Sequence, residues 1–406
     1  MGGSGCRRTP PDPPPTPVAL AYAQELPQGA VALQKVSPGD HPHFTPALTA
    51  ANIDALRVAV NHSLDYLSRP GSRTVYPYLD VSHDRAVATL HAFREILSSR
   101  ELLGDPDRLP RHIAERFDVY RSVGAPSHDG RAYTGKVLFT GYFTPTYEAS
   151  LTRTPEFRWP LYRRPPDLPV GPGGETNGRY ATRAEIEGGG RLAGHEIVWL
   201  RDRWEAYVVT VQGSARLRLR DGRILELGYA GHNGHDYASP AMEMVADGVI
   251  RKEDVRAETL RRYFRQHPQD MDKYLWHNPR TVFFTERPGG PFGSLNVPVT
   301  PMATIATDKK VYPPALPAFV RLTPDPRKGQ RSPLGAAQQF MLDQDTGGAI
   351  RAAGRADLYT GVGDEAETLA GEQLSEGELY YLVVKEHLVP QYLNRGAGAN
   401  YSADSD

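Results

Sequence analysis

Residues 343–366 read Asp343-Gln344-Asp345-Thr346-Gly347-Gly348-Ala349-Ile350-Arg351-Ala352-Ala353-Gly354-Arg355-Ala356-Asp357-Leu358-Tyr359-Thr360-Gly361-Val362-Gly363-Asp364-Glu365-Ala366. Three acidic positions, Asp345, Asp357 and Asp364, lie among glycines and short apolar residues. Glycine lets backbone approach backbone or ligand closely and enter left-handed conformations. A carboxylate held there can be partly desolvated, which raises its pKa toward the value a general acid needs. Ile350, Leu358 and Tyr359 between the acids set the stretch apart from a solvated loop. A plainer reading stands beside this one: surface turns carry Asp-Gly pairs, and Asp345 or Asp364 can simply accept backbone hydrogen bonds in tight bends.

Outward from this stretch the chain reads mostly as short strands and turns. Leu379 to Lys385 is a terminal strand, followed from 394 by a polar tail expected to fray. Val282-Phe283-Phe284 has strand character, as does Val137 to Pro145. Leu217 and Leu219 alternate with Arg216, Arg218 and Arg220, and Asp221-Gly222 is a favoured two-residue hairpin turn. Tyr207 to Gln212 also alternates like a half-buried strand, with Tyr207, Val209 and Val211 on one face. Ser239-Pro240 is a capped helix start, with helical material to about 266 and a break near Gly248. Nearer the start, Ile53, Leu56, Val60, Leu64 and Leu67 recur at helical spacing until Pro70-Gly71. A second helix is expected over 84–101, with Val87, Leu90, Phe93 and Leu97 inward.

Composition narrows the function classes. Lys plus Arg (47) balances Asp plus Glu (48), so the whole-chain charge gives no reason to expect nucleic acid. With 39% hydrophobic residues the chain is globular, and 39 glycines with 36 prolines favour a turn-rich β body over a helical bundle. A single cysteine excludes an intrachain disulfide and a multi-cysteine metal site. No run of eighteen apolar residues is present to span a membrane as a helix.

Other candidate chemistry is weaker. Gly231-His232-Asn233-Gly234-His235-Asp236 could suggest metal ligands, but one short loop with no further ligand reads better as a polar loop or groove wall. His195-Glu196 lacks the second histidine of the zinc-protease spacing, and Gly361-Val362-Gly363 lacks the lysine and serine of a phosphate loop. Ser214 is not in a Gly-x-Ser-x-Gly elbow. Trp159, Trp199, Trp204, Tyr142, Tyr147 and Tyr180 could stack on sugar rings or form an ordinary aromatic core. Cys6 follows Ser4-Gly5 and precedes a proline-rich run, which suits either a lipidated cysteine with its tether or an incidental thiol in a flexible leader.

Five fragments in order carry a resemblance. They are Leu138 to Pro145, Val211-Gln212-Gly213-Ser214-Ala215-Arg216, Tyr229-Ala230-Gly231-His232-Asn233, Asn278-Pro279-Arg280-Thr281-Val282-Phe283-Phe284 and the three-aspartate stretch. From roughly 60 to 386 the chain resembles the membrane-bound lytic murein transglycosylase A family, and the aspartates look like the signature of its C-terminal three-aspartate domain. The resemblance implies a mainly β fold: a double-psi β-barrel catalytic domain with flanking helices and a second, smaller inserted β-domain. The barrel would comprise 31–143 and 283–393, the insert 144–282 forming the other groove wall, with a flexible leader over 1–30 and a flexible tail over 394–406. The implied activity is non-hydrolytic cleavage of the β-1,4 bond between N-acetylmuramic acid and N-acetylglucosamine in peptidoglycan, leaving 1,6-anhydromuramyl ends.

The resemblance carries the family's single catalytic acid to Asp357, with Asp345 and Asp364 as supports that tune it. Thr140, Gly141, Tyr142, Gln212, Gly213, Ser214 and Arg216 would line the glycan groove, and Cys6 would be the lipidation site. It implies no cofactor and no metal, a glycan strand as partner, and a place in the bacterial cell envelope, on the periplasmic side of the outer membrane or an equivalent layer. Two departures stand out: Ala215 replaces a usual glycine, and the Arg351–Ala356 loop is one residue longer. The alternatives are a binding or wall-loosening protein without turnover, and a hydrolytic muramidase with Glu365 or Asp364 as second carboxylate.

Overall fold

The computed structural model describes residues 22–44, 49–127, 132–171 and 176–398; Cys6 lies outside them. The larger of two sheets contains β1 (Leu33–Val36), β2 (Phe117–Ser122), β3 (Val137–Thr144), β10 (Thr304–Ala306), β11 (Pro317–Leu322), β12 (Gln338–Asp345), β13 (Arg355–Val362) and β14 (Leu374–Val384). Its order is β1-β2-β14-β11-β12-β10-β13-β3, and β14 pairs again with β3. That last pairing closes a ring of six strands. β14 makes closure possible by its length: Leu374–Gly377 lies on β3, Tyr380–Val384 on β2, and β11 occupies its opposite edge. Pairings β3–β13 and β10–β12 are parallel.

Alternation along the ring strands fills its interior. Phe319, Leu342, Ala356, Leu358, Leu379 and Tyr381 are fully buried in one cluster. Helices α1 (Ala50–Ser68) and α2 (His83–Ser98) cover it, adding Leu56, Val60, Leu67, Leu90, Phe93 and Leu97. Each starts on a capping hydroxyl, Thr49 accepting from the Asn52 amide and Ser82 from the Arg85 amide. The strands β1 and β2, absent from the sequence reading of this region, extend the ring sheet outward.

The second sheet holds β4 (Thr146–Ser150), β5 (Trp159–Tyr162), β6 (Glu196–Leu200), β7 (Ala215–Leu219), β8 (Ile224–His232) and β9 (Val282–Glu286), ordered β5-β6-β4-β7-β8-β9. The expected hairpin is β7–β8, with Gly222 at φ 84°. The second sheet runs on to Glu286, because β9 pairs with β8. Packed with it are α3 (Arg203–Gln212), α4 (Pro240–Ala246), capped by Ser239 as expected, and α5 (Ala257–Gln266). Ala366 and Ala370 of α6 (Asp364–Glu372), together with Phe143 of β3, join this second core and tie the sheets together.

Two local expectations are corrected. Residues 207–212 are the end of α3, not a strand: Asp202 accepts from the Trp204 and Glu205 amides, and the helix buries Trp204, Tyr207, Val208 and Val209 while Val211 stays exposed. The β-branched alternation there is outweighed by a good cap and a helical buried face. Past 394, where a polar tail is expected, the chain is helical as far as Gly398, the end of α7 (Val389–Gly398). Within the stretch read as leader, the Tyr22 hydroxyl donates to Glu376 on β14.

Candidate active site

The parallel pairing of β13 with β3 sets Asp357 opposite Thr140 and Tyr359 opposite Tyr142. Successive side chains alternate across a sheet, so Asp357 points away from the core that receives Ala356 and Leu358. On its other side β13 meets β10, where Ala306 faces Asp357, and Ala306 also faces Asp345 on β12. Asp345, Ala306, Asp357 and Thr140 therefore form one row across four strands. Two strand spacings separate the aspartates, about 10 Å between backbones.

Asp357 keeps 17% of its side-chain surface. Thr140 Oγ1 donates to its Oδ1. Arg355, two residues earlier and so on the same face, has Nη2 3.8 Å from that oxygen and donates to Thr140 Oγ1 at 3.0 Å. Burial pushes the Asp357 pKa up, against the pull of the Arg355 charge and the Thr140 hydrogen bond. The result is a carboxyl group inclined to hold a proton, with a guanidinium close enough to stabilise the anion once the proton leaves.

Asp345 is differently placed. Its Oδ2 accepts from the Tyr142 hydroxyl at 2.9 Å, and its Oδ1 from the Ser294 and Thr346 amides, both at 2.8 Å. Burial raises its pKa and these donors oppose the rise. Asp364 stands apart. It is exposed in the first turn of α6, where a carboxylate suits the helix dipole. Seven residues of largely extended chain put it on the order of 20 Å from Asp357. It lines a separate cavity of about 880 Å³ with Tyr147, Glu205, Arg261 and Glu367. Burial is thus the chief influence on Asp357, and Arg355 is the charge that acts on it.

Gly141 serves packing. A Cβ there would lie 2.6 Å from the Ala370 Cα, so the glycine admits α6 against β3. Tyr142 stacks obliquely on Tyr359, ring centroids 5.0 Å apart. Tyr359 Oη is 2.9 Å from Thr144 Oγ1, which is 3.4 Å from Ser214 Oγ. Gln212 Oε1 accepts from the Phe143 amide at 3.2 Å, and Gly213 ends α3 at φ 81°. Arg216 Nε lies 3.2 Å from Glu226. The Gln212–Arg216 segment thus adjoins the far end of the β3 row. Ala215 is buried in the second core, 1% exposed, so its methyl group packs there.

The histidine loop is a structural lock. Asn233 donates to the Ala181 and Pro279 carbonyls and accepts from the Thr281 amide. His232 Nδ1 accepts from the Gly234 amide, and His235 Nε2 meets the Tyr180 carbonyl. Among the described residues no group of three His, Cys, Asp or Glu side chains could hold a metal ion. Trp204 and Tyr147 are core residues, 5% and 7% exposed. Arg355 was missed in the sequence, although its two-residue offset from Asp357 placed both on one face of a strand.

A family model described as the MltA specific insert domain matches residues 138–285, and one described as the 3D domain matches 303–383. Membrane-bound lytic murein transglycosylase A of Escherichia coli (strain K12) is 30% identical over 270 residues, covering 66% of this chain and 69% of that protein. A crystal structure of membrane-bound lytic murein transglycosylase from Agrobacterium tumefaciens aligns with TM-score 0.68 and 25% identity, over 89% of this chain and 99% of that one. E. coli MltA with bound chitohexaose shares the fold, with TM-score 0.68 and 24% identity over 89% of this chain and 95% of that one. A mainly β ring, a second sheet inserted through β3 and β9, the matched domain models and a relative aligned over two-thirds of its length agree: the chain belongs to the membrane-bound lytic murein transglycosylase A family.

Proposed function

We propose that this protein is a peptidoglycan lytic transglycosylase that cleaves the MurNAc-β-1,4-GlcNAc bond without water, using Asp357 as acid and then as base. The supporting observation is the state of the two aspartates in one row. Asp357 is desolvated, with one hydroxyl donor and one guanidinium nearby; Asp345, about 10 Å away, has both oxygens occupied by donors. A hydrolase needs a second carboxylate free to activate water or attack the sugar. With Asp345 engaged, the substrate's own C6 hydroxyl becomes the nucleophile.

The steps balance. Protonated Asp357 gives its proton to the glycosidic oxygen as the C1–O4 bond breaks, releasing the 4-hydroxyl of N-acetylglucosamine. The carboxylate, stabilised by Arg355 and Thr140, then takes the proton of the C6 hydroxyl as that oxygen bonds to C1. Asp357 ends protonated, the muramyl end is a 1,6-anhydro ring, and no water is consumed. Burial favours the first state and Arg355 the second.

The same reading gives the groove to a glycan strand along Thr140, Tyr142, Gln212, Gly213, Ser214 and Arg216. Gly141 contributes by admitting α6, Asp345 fixes the chain at Ser294 and Thr346, and Asp364 serves the first turn of α6. The barrel forms one wall, and the insert from 144, continued through β9 to Glu286, forms the other. The E. coli relative's bound chitohexaose is a glycan of the appropriate linkage class. Cys6 would carry the lipid anchor to the cell envelope; among the described residues no helix is long and apolar enough to cross a membrane. The test is mass spectrometry of products from purified peptidoglycan. Anhydromuramyl ends from the wild type and none from Asp357→Asn support the reading; reducing ends would replace it with hydrolysis.

A further inference from the structure

The Asn278-Pro279-Arg280 motif and the loop between Asp345 and Asp357 meet at two arginines that the chemistry above does not use. Arg280 Nη1 donates to the His235 carbonyl at 3.0 Å, and its Nε lies over Gly348, where an added Cβ would be 2.8 Å away. Among the described residues Arg280 has no ion-pair partner. Arg351 stands beside it and pairs with Asp236 at 2.8 Å, a carboxylate 80% exposed. Other groups facing this place are His232, whose pKa burial and then the two arginines push down to about 4, and Tyr229, 46% exposed. Two like charges are thus brought together in a partly desolvated recess with one weakly held counter-charge. Burial disfavours the Arg280 charge and Arg351 adds to this, with Tyr229 and Asp236 offsetting only part of it, an arrangement that an incoming anion relieves.

The position defines which anion. Arg351 lies on the segment joining the two aspartates of the row, six residues before Asp357, and Arg280 comes from the insert side. Asp236, the partner of Arg351, is followed by Tyr237, which acts electrostatically on Arg355 beside Asp357, so a group bound between the two arginines lies toward the proposed acid. We propose that Arg280 and Arg351 form a carboxylate-binding subsite for the lactyl-peptide arm of a muramyl residue in the groove. This rests on the glycan reading above. Guanidinium forks match carboxylates in shape, and the arm is what distinguishes a muramyl from a glucosaminyl unit. The carboxylate is either that of the lactyl group, free when the peptide is absent, or one further out on the peptide.

The test measures equilibrium binding in an Asp357→Asn background, which stops turnover. Three ligands are compared: glycan strands bearing peptides, strands stripped by an amidase to free lactyl carboxylates, and uncharged chitohexaose. Arg280→Gln and Arg351→Gln should each weaken binding of peptide-bearing strands about tenfold, the usual size of a charge-assisted hydrogen bond, and leave chitohexaose affinity unchanged. An equal loss on stripped strands assigns the carboxylate to the lactyl group; no loss there assigns it to the peptide. Equal weakening on chitohexaose, or no change on any ligand, overturns the proposal. Arg351→Gln keeps the test sound should Arg280→Gln fold poorly, because Asp236, its ion-pair partner among the described residues, is exposed. Anhydromuramyl products from the wild type with no arginine effect on binding would remove this inference alone. No anhydro product and no binding of any glycan would remove the glycan reading with it.

Discussion

Asp343 and Asp357 occupy neighbouring regions of one barrel, both are desolvated, and burial raises the pKa of both. Their surroundings nonetheless differ, and the proposed mechanism gives them opposite roles. Asp343 is 0% exposed and is held by Lys309, by Thr307 Oγ1 at 2.7 Å and by the Tyr381 hydroxyl at 2.6 Å. Its acceptor sites are engaged and no substrate can reach it. Asp357 has one hydroxyl donor, an arginine at 3.8 Å and an accessible edge. A raised pKa alone therefore does not identify a catalytic acid; spare acceptor capacity and access do.

The largest effect should come from Asp357→Asn, with turnover falling roughly a thousandfold and the thermal midpoint little changed. Residual activity near wild type would erase the contrast between the two aspartates. Asp343→Asn should invert the pattern. It leaves Lys309 mostly enclosed without its counter-charge and costs about 3 kcal/mol in urea unfolding, while the folded fraction still cuts glycan. Unchanged stability would mean that the Lys309 pair is not a structural anchor.

The next test concerns pH. In the proposed mechanism the first step needs protonated Asp357, so the rate should fall as pH rises through its raised pKa. Arg355→Gln removes a positive charge that favours the carboxylate, so that falling limb should move to higher pH while the maximal rate drops. A limb that stays put, or moves to lower pH, would exclude Arg355 as the group positioning the proton. Gly141→Ala tests the packing beside the row, with a cost of about 1–3 kcal/mol because the new methyl meets the Ala370 backbone; a neutral result in urea unfolding would count against that close approach. The smallest effect lies in the cavity near Asp364. Glu205 has its pKa raised to about 7 by burial and by Asp202, against Arg261. Its stabilising contribution is complete below the ordinary value of 4.5 and is lost as pH rises through about 7. Glu205→Gln should flatten the dependence of the thermal midpoint on pH across that window, and an unaltered slope would show that Glu205 does not titrate there.

Much of this architecture was legible where local chemistry is strong. The cap at Ser239, the Asp221-Gly222 turn and the helical spacing of Leu56, Val60 and Leu67 each declare themselves within a few residues. The misreading of 207–212 had a visible remedy in Asp202 and Glu205, a cap and its third helical residue. The three-aspartate stretch drew attention to β12 and β13, yet spacing could not tell the surroundings of its aspartates apart. Strict alternation would send Asp343 and Asp345 to the same face. Instead the β10–β12 register shifts between Ile305 and Ala306, and a bulge of this kind re-aims the following side chain. Asp343 then meets Tyr381 in the core while Asp345 meets Tyr142 outside it. That shift depends on long-range pairing, so no local pattern announces it.

The closing of the ring by β14 has a consequence for how the protein comes into being. Thr140 and Asp357 are 217 residues apart in the chain, and β3 stays unpaired on its β13 and β14 edges until nearly all of the sequence exists. Contacts so distant form late, after the segments between them have been synthesised and have folded. A ribosome that stops before β13 releases fragments that lack Asp357 altogether, and one that stops before β14 releases an unclosed barrel. A wall-cutting activity built this way is born only with the finished molecule, and premature termination yields inert chains.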